Sequence, residues 1–248
     1  MTDLPIHHDP ILVALSFIVA IFTAYAALTT INRLRQGGGQ GWLVLGAITF
    51  GLGVWAMHFT AMTALNLGVL IGYNPALTLL SVVFAIVGAA IAFNLVRQPQ
   101  VGFARVLGAG TALGAGIGVM HYTGMYAMRM EAYLNFSLPM VGLSVVVAVV
   151  LGTFGIWLLT TPALSALPAR NLLAATVTGL AIPLMHYTAM LAAHFSADPN
   201  AMTHTSAYAG LLSVNLLLLV AVGVVSLPLF LTSLLGNSEE IAESSQGA

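Results

Sequence analysis

"GVMHYTGM", residues 118–125, sets a histidine inside a run that is otherwise apolar. Nearly the same letters return as "PLMHYTAM" at 183–190 and within "VWAMHFTAM" at 54–62. Each copy lies near the end of a stretch of about 20 apolar residues, the length that crosses a hydrocarbon core of about 30 Å. An ionisable side chain at such a depth is costly and usually functional. Three copies, His58, His121 and His186, therefore ask for one common reason.

Seven stretches are long and apolar enough to span: 10–32, 41–65, 75–96, 105–128, 138–160, 170–194 and 207–235. Composition agrees. Of 248 residues 59% are hydrophobic and 5% charged, with a mean hydropathy of +1.00, whereas about 25% charge is usual in soluble domains. The fold class read from these runs is an all-α membrane protein with seven transmembrane helices. A seven-helix domain covers 10–235, between an outer tail at 1–9 and a cytoplasmic tail at 236–248.

Several classes of function fall away on residue type. There is no cysteine, hence no disulfide, thiolate metal site or thiol catalysis. There is no lysine either, which removes Schiff-base chemistry. A net charge of −1 and arginines gathered on one side give no footprint for a nucleic-acid partner. The opening "MTDLPIHHD" lacks a basic n-region, so no cleaved signal peptide is expected. Only about a dozen residues follow the last span, so no output or catalytic domain is expected here, and an enzyme is the lesser expectation. The chain reads as a stand-alone membrane module or an excised one.

The arginines orient the spans. Arg33, Arg35, Arg97, Arg105 and Arg170 fall on one side of an alternating seven-span chain, and Arg129 alone on the other. The positive-inside rule then puts the N-terminus outside and the C-terminus in the cytoplasm.

The chain also repeats itself. His58 and His121 are 63 residues apart, His121 and His186 65. "ALS", "LLS", "GLS" and "LLS", ending at Ser16, Ser81, Ser144 and Ser213, mark the odd-numbered helices. Three two-helix units result, at about 10–65, 75–128 and 138–194, with a closing helix at 207–235 that begins like a fourth. Helices 2, 4 and 6 then run in the same direction. Trp42, Arg105 and Arg170 stand 16 residues before the three histidines, about 24 Å of helical rise. The histidines thus share one depth, in the outer part of the membrane.

They also share a face. Residues three, four, seven or eleven apart lie on one side of a helix. Four after each histidine comes Met62, Met125 or Met190; seven before comes Gly51, Gly114 or Gly179; eleven before comes Ala47, Gly110 or Ala175. Small residues let membrane helices approach closely, so this face is expected to be the packed interior. One such stripe, or one methionine, is ordinarily packing alone. Threefold repetition is what favours a shared site.

The donors select the metal. Imidazole suits copper, zinc, iron and nickel, and thioether selects soft ions, Cu(I) above all. Copper, as Cu(I)/Cu(II), ranks first. Zinc usually adds cysteine or carboxylate and ranks lower, as does haem, because axial ligation by two histidines leaves one over. His58, His121 and His186 are the expected ligands, with Met62, Met125 and Met190 as sulfur donors on the same face. Met57, Met120 and Met185 are turned by about 100° and read as neighbours. Tyr122, Tyr187 and Phe59 read as pocket walls, with a phenol ligand the weaker option. Ser16, Ser81 and Ser144 sit near the same depth, where a hydroxyl either orients an imidazole or, the favoured reading, bonds its own helix. Thr60, Thr123 and Thr188 pose the same choice. His194, eight residues past His186, is the best of the remaining histidines. His7, His8 and His204 (with Met202) read as solvated, with a capture site as the lesser reading. Pro183 should bend helix 6 beneath its motif.

The "MH[FY]T" motifs at 57–60, 120–123 and 185–188, two spans apart, together with the opening "DPILVALSFIVAIFTAYAAL", resemble the MHYT-domain bacterial membrane sensors. The resemblance covers about 10–235. It implies a multi-pass sensory module of the bacterial inner (cytoplasmic) membrane, with copper held near the outer face by motif Met, His and Tyr residues. Oxygen, carbon monoxide or nitric oxide is the implied signal, and cyclic-di-GMP domains or a histidine kinase often follow. Phe59 departs from the pattern and weakens a phenol ligand. The expected function is a copper-binding sensor of a diatomic gas or of redox state, in the lipid bilayer, acting on a separate signalling protein on the cytoplasmic side. A copper-handling protein (carrier, insertion factor or copper redox enzyme) is the alternative, and a haem-binding membrane protein the second.

Overall fold

The computed structural model describes residues 3–197, 219–220 and 222–232. Among these residues, six helices are long and apolar enough to cross a membrane: α1 (Pro10–Arg35), α2 (Gln40–Thr63), α3 (Pro75–Leu95), α4 (Phe103–Tyr126), α5 (Leu138–Thr160) and α6 (Arg170–Met190). A shorter apolar helix, α7 (Val222–Thr232), falls inside the expected seventh span. Ser213, His204 and Met202 lie outside the described residues. The molecule is a multi-pass helical membrane protein.

α1, α3 and α5 each begin with a polar residue and a proline in the first turn. Asp9 accepts from the Ile11 and Leu12 amides ahead of Pro10, and Asn74 accepts from the Leu77 amide ahead of Pro75. Ser137 precedes Leu138 and Pro139, though its side chain makes no cap bond. A polar residue followed by proline fits a helix start, because the side chain serves an unpaired amide and proline has none to leave unpaired.

The three hairpins α1/α2, α3/α4 and α5/α6 pack side by side. α2 lies on α3, α4 on α5, and α6 returns onto α1, which closes a ring. The even helices also touch one another and form its centre. Burial agrees: 72, 50 and 56% of the apolar stretches of α2, α4 and α6 are buried, against 44, 39 and 33% for α1, α3 and α5. The repeat seen in the sequence is thus a pseudo-threefold axis in space.

The glycines seven residues before each histidine do something narrower than line the centre. A Cβ on Gly51 would stand 2.7 Å from the Ile86 backbone nitrogen, one on Gly114 2.7 Å from that of Val149, and one on Gly179 2.7 Å from Ile21 Cα. Each contact joins an even helix to its neighbouring odd helix. The small residues therefore weld the ring, α6 to α1 included, by close backbone approach.

One end of the bundle carries a lid absent from the sequence reading. β1 (His7–His8) pairs with β2 (Leu65–Asn66), β3 (Gly72–Tyr73) with β4 (Met128–Arg129), and β5 (Ala132–Phe136) with β6 (Ala193–Ala197), all antiparallel. Each pair ties the residues before an odd helix to those after the even helix of its own unit. The Asp9, Asn74 and Ser137 amides donate to the Ala64, Ala127 and Ala192 carbonyls at 2.9, 2.8 and 2.9 Å. α6 accordingly ends at Met190 rather than near 194, because the apolar residues that follow belong to β6. Hydropathy alone does not separate a short apolar strand from the end of an apolar helix.

Candidate metal centre

His58, His121 and His186 come from α2, α4 and α6 and meet on the pseudo-threefold axis, each no more than 1% exposed. Their Nδ1 atoms form a nearly equilateral triangle: 3.1 Å from His58 to His186, 3.2 Å from His121 to His58 and 3.2 Å from His186 to His121. The rings stand steeply to one another, at 68 to 86°.

Three neutral imidazoles cannot satisfy this triangle by themselves. Each carries one proton, on one of its two nitrogens. With zero, one, two or three protons pointing inward, at least one edge always sets lone pair against lone pair or hydrogen against hydrogen. A cation shared by three inward lone pairs removes the conflict. Two nitrogens bound to one ion at about 2.0–2.1 Å with a tetrahedral angle lie about 3.3–3.4 Å apart, close to the observed edges. The group can hold a metal ion, and the donor set fits one.

The outward nitrogens are enclosed as well. Nε2 of all three histidines is buried without a hydrogen-bond partner. Against His58 Nε2 lies Gly124, where a Cβ would come within 2.6 Å. Corresponding positions in the other motifs are Ala61 and Ala189. That Gly-for-Ala difference stands in the sequence, and its meaning needs the packing to be read.

All six motif methionines are buried: Met57, Met120 and Met185 at no more than 1% exposure, Met62, Met125 and Met190 at no more than 5%. The second row lies one turn nearer the lid. Around them stands an aromatic collar. Phe59, Tyr122 and Tyr187 each meet their own histidine edge to face, with centroids 4.7, 4.8 and 4.8 Å apart. From the lid, Tyr73 meets Phe59 at 5.1 Å, Phe136 meets Tyr122 at 5.3 Å and His8 meets Tyr187 at 6.0 Å. His8 is thus the imidazole member of a threefold set otherwise made of Tyr and Phe. Burial pushes its pKa down, and burial pushes that of the Tyr73 hydroxyl up.

The serines hold phenols, not imidazoles. Tyr122 Oη lies 2.9 Å from Ser144 Oγ and Tyr187 Oη 3.2 Å from Ser16 Oγ. Each serine hydroxyl also donates to its own helix, Ser16 to the Val13 carbonyl, Ser81 to Thr78 and Ser144 to Val141. Ser81 has that bond alone, since the motif aromatic of its unit is Phe59. Orientation of the imidazoles by these hydroxyls, one of the two readings from sequence, finds no such contact. Thr60 bonds the Ala56 carbonyl of its own helix. His194 does not continue the His186 face: it is exposed in β6, opposite Asn135. His7, also exposed, pairs with Asn66.

Residues 1–43, 51–109, 114–171 and 179–241 match a family model described as MHYT, bacterial signalling protein N terminal repeat. The chain is 38% identical over 195 residues to the bifunctional diguanylate cyclase/cyclic di-GMP phosphodiesterase MucR of Pseudomonas aeruginosa, covering 76% of this chain and 28% of that one. It is 33% identical over 192 residues to the cyclic di-GMP phosphodiesterase NbdA of the same organism, covering 75% and 24%. With the signaling protein YkoW of Bacillus subtilis the identity is 24% over 203 residues, covering 79% and 25%. The chain spans about a quarter of the length of these relatives. No solved structure matches it significantly. The repeat model covers nearly the whole chain, and its repetition is the one that folds here into three helix pairs around three histidines: the chain belongs to the MHYT family of bacterial signalling proteins.

Proposed function

We propose that this chain is the sensory module of a bacterial signalling system, that it binds one copper ion through His58, His121 and His186, and that the signal is a diatomic gas or redox state. The observation that carries the reading is the triangle of inward Nδ1 atoms, whose mutual conflict a bound cation relieves. Copper is preferred over zinc because the surroundings offer thioethers and neither thiolate nor carboxylate. Copper would supply a one-electron couple and an open position for a small ligand.

The protein's own part is to couple that centre to its helices. Each histidine stands on a different even helix, so any change in their spacing moves α2, α4 and α6 against one another. Packed interfaces respond by switching between discrete arrangements. Met62, Met125 and Met190 are the added soft donors, while Met57, Met120, Met185, Phe59 and the tyrosines act as walls. The tyrosine hydroxyls, already engaged by serine, support a wall role over a ligand role. His194, exposed in the lid, takes no part. Arg35, Arg97, Arg105 and Arg170 flank helix ends remote from the lid, which supports a lid facing outward and a cytoplasmic side ready for a signalling partner. The cyclic di-GMP enzymes among the relatives point to that kind of output.

A copper-handling role is the second reading, because the same donors serve a carrier or a redox enzyme. The welded small-residue packing beneath the histidines supports the sensor over a carrier. A haem ranks below both: axial ligands stand on opposite faces of a macrocycle, and nitrogens 3.1–3.2 Å apart leave no slot for one.

The test is metal analysis with X-ray absorption on the purified chain and on His58→Ala, His121→Ala and His186→Ala. One copper per chain with three nitrogen ligands, lost in each variant, is expected. Equal metal content in all four proteins would sink the reading, and copper uptake into proteoliposomes would move it to the second.

A further inference from the structure

A second cluster of soft donors lies in the lid. Between the end of α4 and strands β4 and β5 is a cavity of about 190 Å³ whose lining includes Met125, Met128, Met130, Tyr126 and Arg129. Three of the chain's 11 methionines meet in this one place.

The pseudo-symmetry shows what is unusual about them. Met128 and Met130 stand seven and nine residues after His121. At the same offsets His58 is followed by Leu65 and Leu67, and His186 by Ala193 and Phe195. All six positions follow an even helix, in or beside β2, β4 and β6. Two units thus meet the packing demand with hydrocarbon, and one uses two thioethers. Thioether differs from leucine chiefly in being a flexible, polarizable donor that selects soft ions.

Burial is graded along the cluster. Met130 is half-buried, Met128 is 6% exposed, Met125 1%, and His121, one turn below Met125, is fully buried. At the exposed rim, Arg129 Nη1 donates to the Tyr126 carbonyl at 3.3 Å and the Met128 carbonyl at 3.0 Å. A fixed positive charge there disfavours a hydrated divalent ion more than a soft monovalent one.

We propose that this cavity is a docking site for a soft monovalent cation, Cu(I) as its natural occupant, held by the Met128 and Met130 thioethers and passed by way of Met125 to the buried histidines. The transfer exchanges ligands without change of oxidation state. Its second half rests on the metal reading of the three histidines; the docking site does not.

The test is NMR of methyl-labelled methionine in the full chain, titrated with Ag(I) as a stable surrogate of the same charge and softness. The Met128 and Met130 methyl signals should shift in wild type and equally in the variant carrying His58→Ala, His121→Ala and His186→Ala. Met128→Leu with Met130→Leu, which installs the residues found at Leu65 and Leu67, should leave the final Cu(I) occupancy of the histidines unchanged and slow its attainment at least severalfold. Methyl signals that ignore Ag(I), or a double variant that loads at the wild-type rate, would overturn the proposal. A methyl response in a chain whose histidines take no copper would uphold the docking site and overturn the proposed function instead.

Discussion

The Tyr122 hydroxyl lies 2.9 Å from Ser144 Oγ, on the side of α4 that faces α5 rather than its companion helices. Tyr187 and Ser16 repeat the arrangement between α6 and α1. The motif tyrosine is therefore a strut between helices. Tyr122→Phe and Tyr187→Phe should each destabilise the protein by about 1 kcal/mol, the net worth of one hydrogen bond, because each serine keeps its own-helix carbonyl. Copper content should not change. Thermal unfolding in detergent and metal analysis read the two effects separately, and copper lost from either variant would make the phenol a ligand after all.

Gly179 closes the ring. A Cβ there would stand 2.7 Å from Ile21 Cα and 3.0 Å from the Ala20 carbonyl oxygen, and backbone cannot rotate away as a side chain can. Gly179→Ala should cost about 1–3 kcal/mol, the usual range for overpacking, by prising α6 from α1. Gly142→Ala, where nothing lies within 4 Å, is the control. A helix-interior Gly→Ala change there should instead add about 0.5–1 kcal/mol. Equal unfolding temperatures for the two variants would dismiss the welded ring.

How much of this was legible in the sequence follows from what periodicity can carry. The spans, the repeat and the common depth of His58, His121 and His186 follow from hydropathy and the 3.6-residue turn. Which ring atom points inward does not, because it depends on rotamers set by three helices at once. The lid escaped for another reason. His8 pairs with Leu65 and Tyr73 with Met128 through strands only two residues long, too short to show an alternating pattern, while the five-residue β6 follows α6 directly and reads as its apolar end. The glycine stripe is visible, but the spacing that puts Gly51 near the His58 face does not reveal that α2 presents it to Ile86 of α3. The bundle was readable from one helix at a time, whereas the site and lid belong to contacts among units.

His8 occupies the lid position that Tyr73 and Phe136 hold in the other units, and burial lowers its pKa. A histidine with a folded-state pKa below its unfolded value of about 6.5 leaves stability untouched above that value. As pH falls below it the unfolded chain takes up the proton first, so stability drops. His8→Phe, copying Phe136, should remove this contribution. Wild type and variant are expected to lose stability unequally between pH 7.5 and pH 5.5, the variant losing less. Parallel losses, measured by thermal unfolding at each pH, would show that His8 carries none of the acid sensitivity.

The last prediction concerns the position where the motifs differ by a single methyl group. His58 and His186 are followed three residues later by alanine and His121 by Gly124, and a Cβ on Gly124 would come within 2.6 Å of His58 Nε2. Gly124→Ala must displace the His58 ring, and with it one corner of the Nδ1 triangle. Displacing a ligand by a neighbour that binds no metal commonly costs about tenfold to a hundredfold in affinity. Copper affinity in a chelator competition should fall by that order, with the loss of one nitrogen from the X-ray absorption signal. The converse changes, Ala61→Gly and Ala189→Gly, remove a methyl group without adding an atom and should leave the affinity close to wild type. If Gly124→Ala binds copper as tightly as wild type, His58 is not held against that helix in the metal-bound protein, and the triangle is not the binding geometry.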